Sequence, residues 1–166
     1  MKYHNITHDD MLNGDGLRVV LWVSGCSHHC PECQNPITWN CNIGLEFNHE
    51  AEKEIFDELE KDYISGITLS GGDPLHKSNI KDIFELCKKI KDRYNNKTIW
   101  LYTGYTWEQI MNDQDRKNII SLCDVLVDGR FEKDKADINY HWAGSTNQRV
   151  INVQKSLKCN NILLHN

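Results

Sequence analysis

Four short apolar runs, each released into a polar or glycine-rich stretch, constrain this chain more than any other feature. Gly16 to Val23, Gly66 to Ser70, Thr98 to Tyr102 and Asp124 to Asp128 read as buried strands. Helical periodicity fills the intervals. Asn48 suits an N-cap, with Glu50, Glu52 and Glu54 early in the helix and Ile55, Phe56, Leu59 and Tyr63 on its apolar face. Ser78 begins a second helix carrying Ile80, Ile83, Phe84, Cys87 and Ile90. Thr106-Trp-Glu-Gln109 matches a capping box, opening a helix to about Met111, and another follows over 114–122. Alternating strands and helices predict a parallel sheet with right-handed crossovers. A closed (β/α)₈ barrel needs about 250 residues, and this chain has 166. The expected fold is therefore α/β, a partial, open parallel β/α barrel forming a single domain over 1–166. Its core spans about 14–153 and a tail runs over 154–166. Residues 1–12 show little pattern, Asn13-Gly-Asp-Gly16 is a turn signal, residues 132–141 read as polar loop, and Val150 to Val153 is a last short strand.

In such a sheet the stretches after the strands converge on one face, where α/β folds place chemistry. They are Cys26–Cys33, Ser70–Pro74, Thr103–Tyr105 and Asp128–Arg130. The first, Cys26-Ser-His-His-Cys30-Pro-Glu-Cys33, packs three thiols into eight residues. Four cysteines close a [4Fe-4S] cluster; three leave one iron open to a small molecule. The competing reading is a structural zinc with His28, His29 or Cys41 as fourth ligand. Zinc sites usually come as two separated ligand pairs, and no second pair is visible, so the spacing favours the cluster. Of the seven cysteines, Cys87 and Cys123 fall in apolar-periodic stretches as core residues, Cys159 lies near the C-terminus, and Cys41 is ambiguous. The polar first ten residues carry no signal peptide, and no apolar run reaches bilayer length. A cytoplasmic protein with no membrane contact is expected, its thiols ligands or core residues before disulfides. A net charge of -5 argues against nucleic-acid binding.

Gly-Leu-Arg18, Leu21-Trp22, Cys26-x3-Cys30-x2-Cys33, Ser70-Gly-Gly-Asp-Pro74, Tyr102-Thr-Gly-Tyr105, Val127-Asp-Gly-Arg-Phe131 and Gly144-Ser-x-Asn147-Gln-Arg149 occur in this order. From about residue 3 to about residue 152 the chain thus resembles the radical S-adenosylmethionine family. Within it, the chain looks most like the group that activates anaerobic (class III) ribonucleoside-triphosphate reductases. The resemblance implies the family's partial barrel, with Cys26, Cys30 and Cys33 holding a [4Fe-4S] cluster. The amino and carboxylate groups of S-adenosyl-L-methionine would chelate the open iron. Reductive cleavage would yield methionine and a 5′-deoxyadenosyl radical, which takes hydrogen from a glycine Cα of the reductase large subunit. A reduced flavodoxin is the type of electron donor implied. No side chain is then catalytic; the cofactors carry the chemistry.

By the same resemblance, Gly71 and Gly72 would admit the methionine moiety close to the backbone, and Asp73 would accept from its ammonium group, with an ordinary βα turn as the alternative. Glu32, Cys33 and Gln34 would flank the adenine through backbone groups. Asp128 and Arg130 would contact ribose or carboxylate, or line the glycine-loop channel, with a strand-end ion pair as the alternative. Tyr102 to Tyr105 would line the pocket or pack in the core. Gly144 to Arg149 would order a partner-facing loop or form a plain turn. His28 and His29 read as solvent-facing spacers, with tuning of the cluster potential as the alternative. Two positions depart from the pattern. Glu32 stands where an aromatic residue is common, which removes side-chain stacking there, and Asp15 stands where proline is common. The alternatives are an activase of another glycyl-radical enzyme, a small-molecule radical enzyme, a four-cysteine electron-transfer protein and a zinc-stabilised binding module.

Overall fold

The computed structural model describes all 166 residues. Its sheet is built around four parallel strands: β2 (Leu17–Val23), β4 (Ile64–Gly71), β5 (Thr98–Tyr102) and β6 (Val125–Asp128). β1 (Lys2–Asp10) pairs antiparallel with β2, and the two-residue β3 (Leu45–Glu46) pairs with β1. β7 (Arg149–Asn152) runs antiparallel to β6 at the other edge. The order is β3-β1-β2-β4-β5-β6-β7, and the two edges do not meet. The expected open α/β sheet is therefore present, with a correction: its flanks are antiparallel, so the sheet is mixed.

The helices are α1 (His49–Leu59), α2 (Ile80–Arg93), α3 (Trp107–Met111), α4 (Gln114–Ile120) and α5 (Val153–Cys159). Strand order 2-4-5-6 never reverses, so right-handed crossovers carry every connecting helix over the same face. Residues of all five helices share one core with Val19, Leu21, Val23, Ile67, Leu69, Ile99, Leu101 and Leu126. The alternate strand positions face the other way. There Trp100, Val125, Val127 and Val150 form a smaller cluster. Arg18 is fully buried on that face. Its guanidinium donates to Thr68 Oγ1, Thr98 Oγ1 and the carbonyls of Asp15, Ile67 and Thr98. No carboxylate pairs with it, and burial lowers its pKa to about 10. Higher on the same face, Trp22, Ser70 and Tyr102 floor a cavity that opens at the strand C-terminal ends.

Capping follows the local sequence. Asn48 Oδ1 accepts from Ala51 N, and Thr106 and Gln109 form the expected reciprocal box. α2 starts later than expected because Ser78 Oγ binds His76 Nδ1. Two segments differ from expectation. β1 occupies residues read as patternless; irregular register between Tyr3 and Asn5 and between Thr7 and Asp10 breaks the period of two. The expected tail contains α5, capped by Asn152, and then returns along β7, where His165 N donates to Val150 O. His165 also pairs with Asp15 and meets the Trp100 ring edge-on.

Candidate functional site

The loop leaving β2 is stitched into place before any side chain acts. Gly25 N donates to Thr38 O, Cys26 N to Trp39 O, and Asp73 N to Gly25 O. Buried Asn79 donates from its amide to Ser24 O and Asp73 O, tying the loops after β2 and β4 together. Around this junction lies a cavity of about 280 Å³. Cys26, Cys30, Cys33 and Gln34 line it, as do Gly71, Gly72 and Asp73, the Tyr102–Gly104 turn, and Gly129. The four strand-end stretches therefore converge as the sequence reading expected.

All three cysteines are free thiols. Main-chain amides of His28 and His29 near Cys26, and that of Phe131 near Cys30, favour the thiolates. Asn35 N donates to Cys33 Sγ at 3.4 Å. Burial nevertheless pushes the Cys26 thiol up to about 11, and also raises Cys30. Amide groups gathered near half-buried sulfurs suit thiolates whose charge is shared with a metal, and the set fits an iron–sulfur group. Trp39 lines the cavity, and its buried indole Nε1 has no acceptor in the protein. Cys41 is absent from the cavity wall; the position a Cβ would take on Gly25 lies 3.0 Å from its Cβ.

His28 is a correction. It is no solvent-facing spacer: its side chain is 5% exposed. Nε2 lies 2.7 Å from Asp73 Oδ2, and the ring meets Tyr105 edge-on. Asp73, 1% exposed, also accepts from Leu75 N, Thr103 Oγ1 and Gly104 N. Those donors occupy the sites a carboxylate offers. In this arrangement Asp73 joins the loops after β2, β4 and β5. Cys26, His28 and Asp73 bring donor atoms within 4.8 Å of one another, a grouping other than the three-cysteine set of the zinc reading. His29 is exposed and stacks on Trp39 at 4.6 Å.

Comparison with known proteins separates the iron–sulfur and zinc readings. A family model described as a 4Fe-4S single cluster domain matches residues 12–151. The chain is 42% identical over 152 residues to the anaerobic ribonucleoside-triphosphate reductase-activating protein of Escherichia coli (strain K12), covering 90% of this chain and 97% of that one. Identity to the protein of the same name from Pasteurella multocida (strain Pm70) is 40%, with 90% and 96% covered. For the one from Enterobacteria phage T4 it is 42%, with 90% and 93% covered. The chain belongs to this family of reductase-activating proteins.

Other expected residues of this activating-protein fold take up different partners. Both Asp128 oxygens are occupied, by Arg149 and by the N–H of Trp107 at the start of α3. It is a strand-end ion pair, with Arg149 rather than Arg130. Arg149 also holds Glu108, whose carboxyl falls to about 2 through that bond. Arg130 is exposed, and its positive charge favours the Cys30 thiolate. Glu32 is exposed and pairs with Lys133. Gln148 accepts from Gly144 N and Ser145 N and donates to Gly129 O, so the Gly144–Arg149 motif clamps the loop after β6. Sequence reading missed Asn35, Thr38, Trp39, Phe131 and Trp142 on the cavity wall. Their segments have no periodicity, and only proximity to the cysteine motif could have marked the first three.

The two glycines of the motif also pack against protein backbone. A Cβ on Gly72 would lie 2.6 Å from Gly25 O and 2.9 Å from Thr38 O, and one on Gly71 would lie 2.6 Å from Val23 N. Both glycines make room for neighbouring protein backbone. Gly72→Val is therefore expected to displace the cysteine loop itself. Iron content after reconstitution should fall with cofactor affinity, and stability should drop by about 1–3 kcal/mol. Full iron content with affinity alone reduced would return Gly72 to a purely ligand-facing role.

Proposed function

We propose that this protein is a glycyl-radical activase for an anaerobic ribonucleoside-triphosphate reductase, working with a [4Fe-4S] cluster and S-adenosyl-L-methionine. The observation that carries the reading is the set of three free thiols, Cys26, Cys30 and Cys33, on one cavity with the glycine-rich strand ends. The relatives' shared name supplies the protein substrate. When bound, the two cofactors supply reductive carbon–sulfur cleavage and hydrogen abstraction from a glycine Cα. The chain's own work is to hold and shield. Cys26, Cys30 and Cys33 ligate, and amides of His28, His29 and Phe131 stabilise two of the sulfurs. Asp73 and Asn79 lock the ligand loop to the floor of the cavity. Backbone of Glu32, Cys33 and Gln34 is offered to the adenine, and the open cavity mouth to the reductase's glycine loop. The fold is then a partial radical-enzyme barrel, with the helix-free face of the sheet as its interior. The electron comes from a cytoplasmic donor such as a reduced flavodoxin. No helix is long and apolar enough to cross a membrane.

Electron paramagnetic resonance of anaerobically iron-reconstituted, reduced protein tests this. A reduced-cluster signal that changes when S-adenosylmethionine is added is expected. A cluster signal indifferent to the cofactor would favour electron transfer alone, and zinc without a signal would favour a structural module.

A further inference from the structure

Trp39, a residue of the cavity wall, carries a buried indole N–H with no partner in the protein. Buried N–H groups are almost always paired, so one left over beside a ligand site points to an acceptor the bound state brings. Its surroundings say which acceptor. Trp39 O accepts from Cys26 N, the first ligand residue, and the adjacent Thr38 O accepts from Gly25 N. His29, lying between the first two ligand cysteines, stacks on the indole with an interplanar angle of 26°. The indole is thus fastened to the Cys26–Cys30 loop from both its backbone and its ring. The other tryptophan on the sheet floor of the cavity, Trp22, already donates to Thr7 Oγ1 at 2.7 Å.

We infer that Trp39 is a positioning residue of the iron–sulfur site, its indole N–H donating to a cluster or cysteinyl sulfur and making the cluster easier to reduce. The inference rests on the proposal that these cysteines hold a [4Fe-4S] cluster. Hydrogen bonds to sulfur spread the extra negative charge of the reduced state and so raise the reduction potential. Stacking by His29 would hold the indole in the plane that aims its N–H at the sulfur.

The test is Trp39→Phe, which keeps an aromatic ring for His29 and removes the donor. Iron and sulfide content of the reconstituted protein come first, since a wild-type protein that binds no cluster defeats the underlying reading and not this one. With clusters present in both proteins, an EPR-monitored redox titration without S-adenosylmethionine should show a lower midpoint potential in Trp39→Phe. An unchanged potential overturns the inference, whether or not affinity for S-adenosylmethionine is weakened. Should Trp39→Phe fail to retain iron, Trp142→Phe protein labelled with ¹⁵N at the indole decides. Trp142 is the remaining indole on the cavity wall. A ¹⁵N coupling to the reduced cluster in pulsed EPR is expected there, and its absence overturns the assignment.

Discussion

Cys30→Ala is expected to leave the reconstituted protein without its cluster and without detectable S-adenosylmethionine cleavage. Three protein thiolates are the minimum that keeps a four-iron cluster attached while leaving one iron open, and two cannot hold it against solvent iron chelation. Cys30 is also the thiol that joins the ligand loop to the loop after β6. The Phe131 amide and the Arg130 charge both favour its thiolate. Its loss should drop iron from about four per chain to near zero in an assay of iron and acid-labile sulfide. Cys41→Ala is the matched control. That thiol lies beside Gly25, off the cavity wall, and the variant should load iron as the wild type does. Normal cleavage by Cys30→Ala, or loss of the cluster on Cys41→Ala, would refute the three-cysteine ligand set.

The sequence exposed the parts of this molecule that depend on local chemistry. Continuous apolar runs announced β2, β4, β5 and β6 because these strands are buried on both faces. Thr106 and Gln109 announced a capping box because that device lies within four residues. Convergence of the strand-end loops followed from parallel topology alone. β1 stayed hidden, since only Tyr3 and Ile6 of its nine residues are buried and its register is broken twice. α5 stayed hidden because Val153 and Ser156 are its only buried residues. Within the site, the motifs located Gly71–Asp73 and Asp128 but not the protein groups they touch. Gly72 faces Gly25 O, Asp73 faces His28 and Thr103, and Asp128 faces Arg149. Those partners lie 21 to 47 positions away along the chain, a separation no motif encodes. His28 was misread for the same reason: a polar residue between cysteines looks solvated until the buried carboxylate that receives it is known.

Asp73→Ala is expected to be the most destabilising change in the site, lowering the unfolding free energy of the iron-free protein by about 3–5 kcal/mol. Removing this carboxylate strands the His28 ring, the Thr103 hydroxyl and two main-chain N–H groups at a position 1% exposed. Each buried donor left unpaired costs about 1–3 kcal/mol, partly recovered as the loops relax toward water. Asp73→Asn should cost less, because one amide oxygen still accepts while the NH₂ opposes a former donor. Urea denaturation under reducing conditions measures both. The same measurement distinguishes the two roles the residue can play. An acceptor for a bound ammonium group would weaken S-adenosylmethionine binding and leave iron-free stability untouched, which would sink the positioning role. A joint between loops predicts that stability and iron retention fall together. It also predicts coupling of Asp73→Asn to His28→Leu by about 0.5–3 kcal/mol in a double-mutant cycle, since the two side chains meet at 2.7 Å. Because His28 lies two residues from Cys26, that coupling links the loop after β4 to the geometry of the first cysteine of the motif.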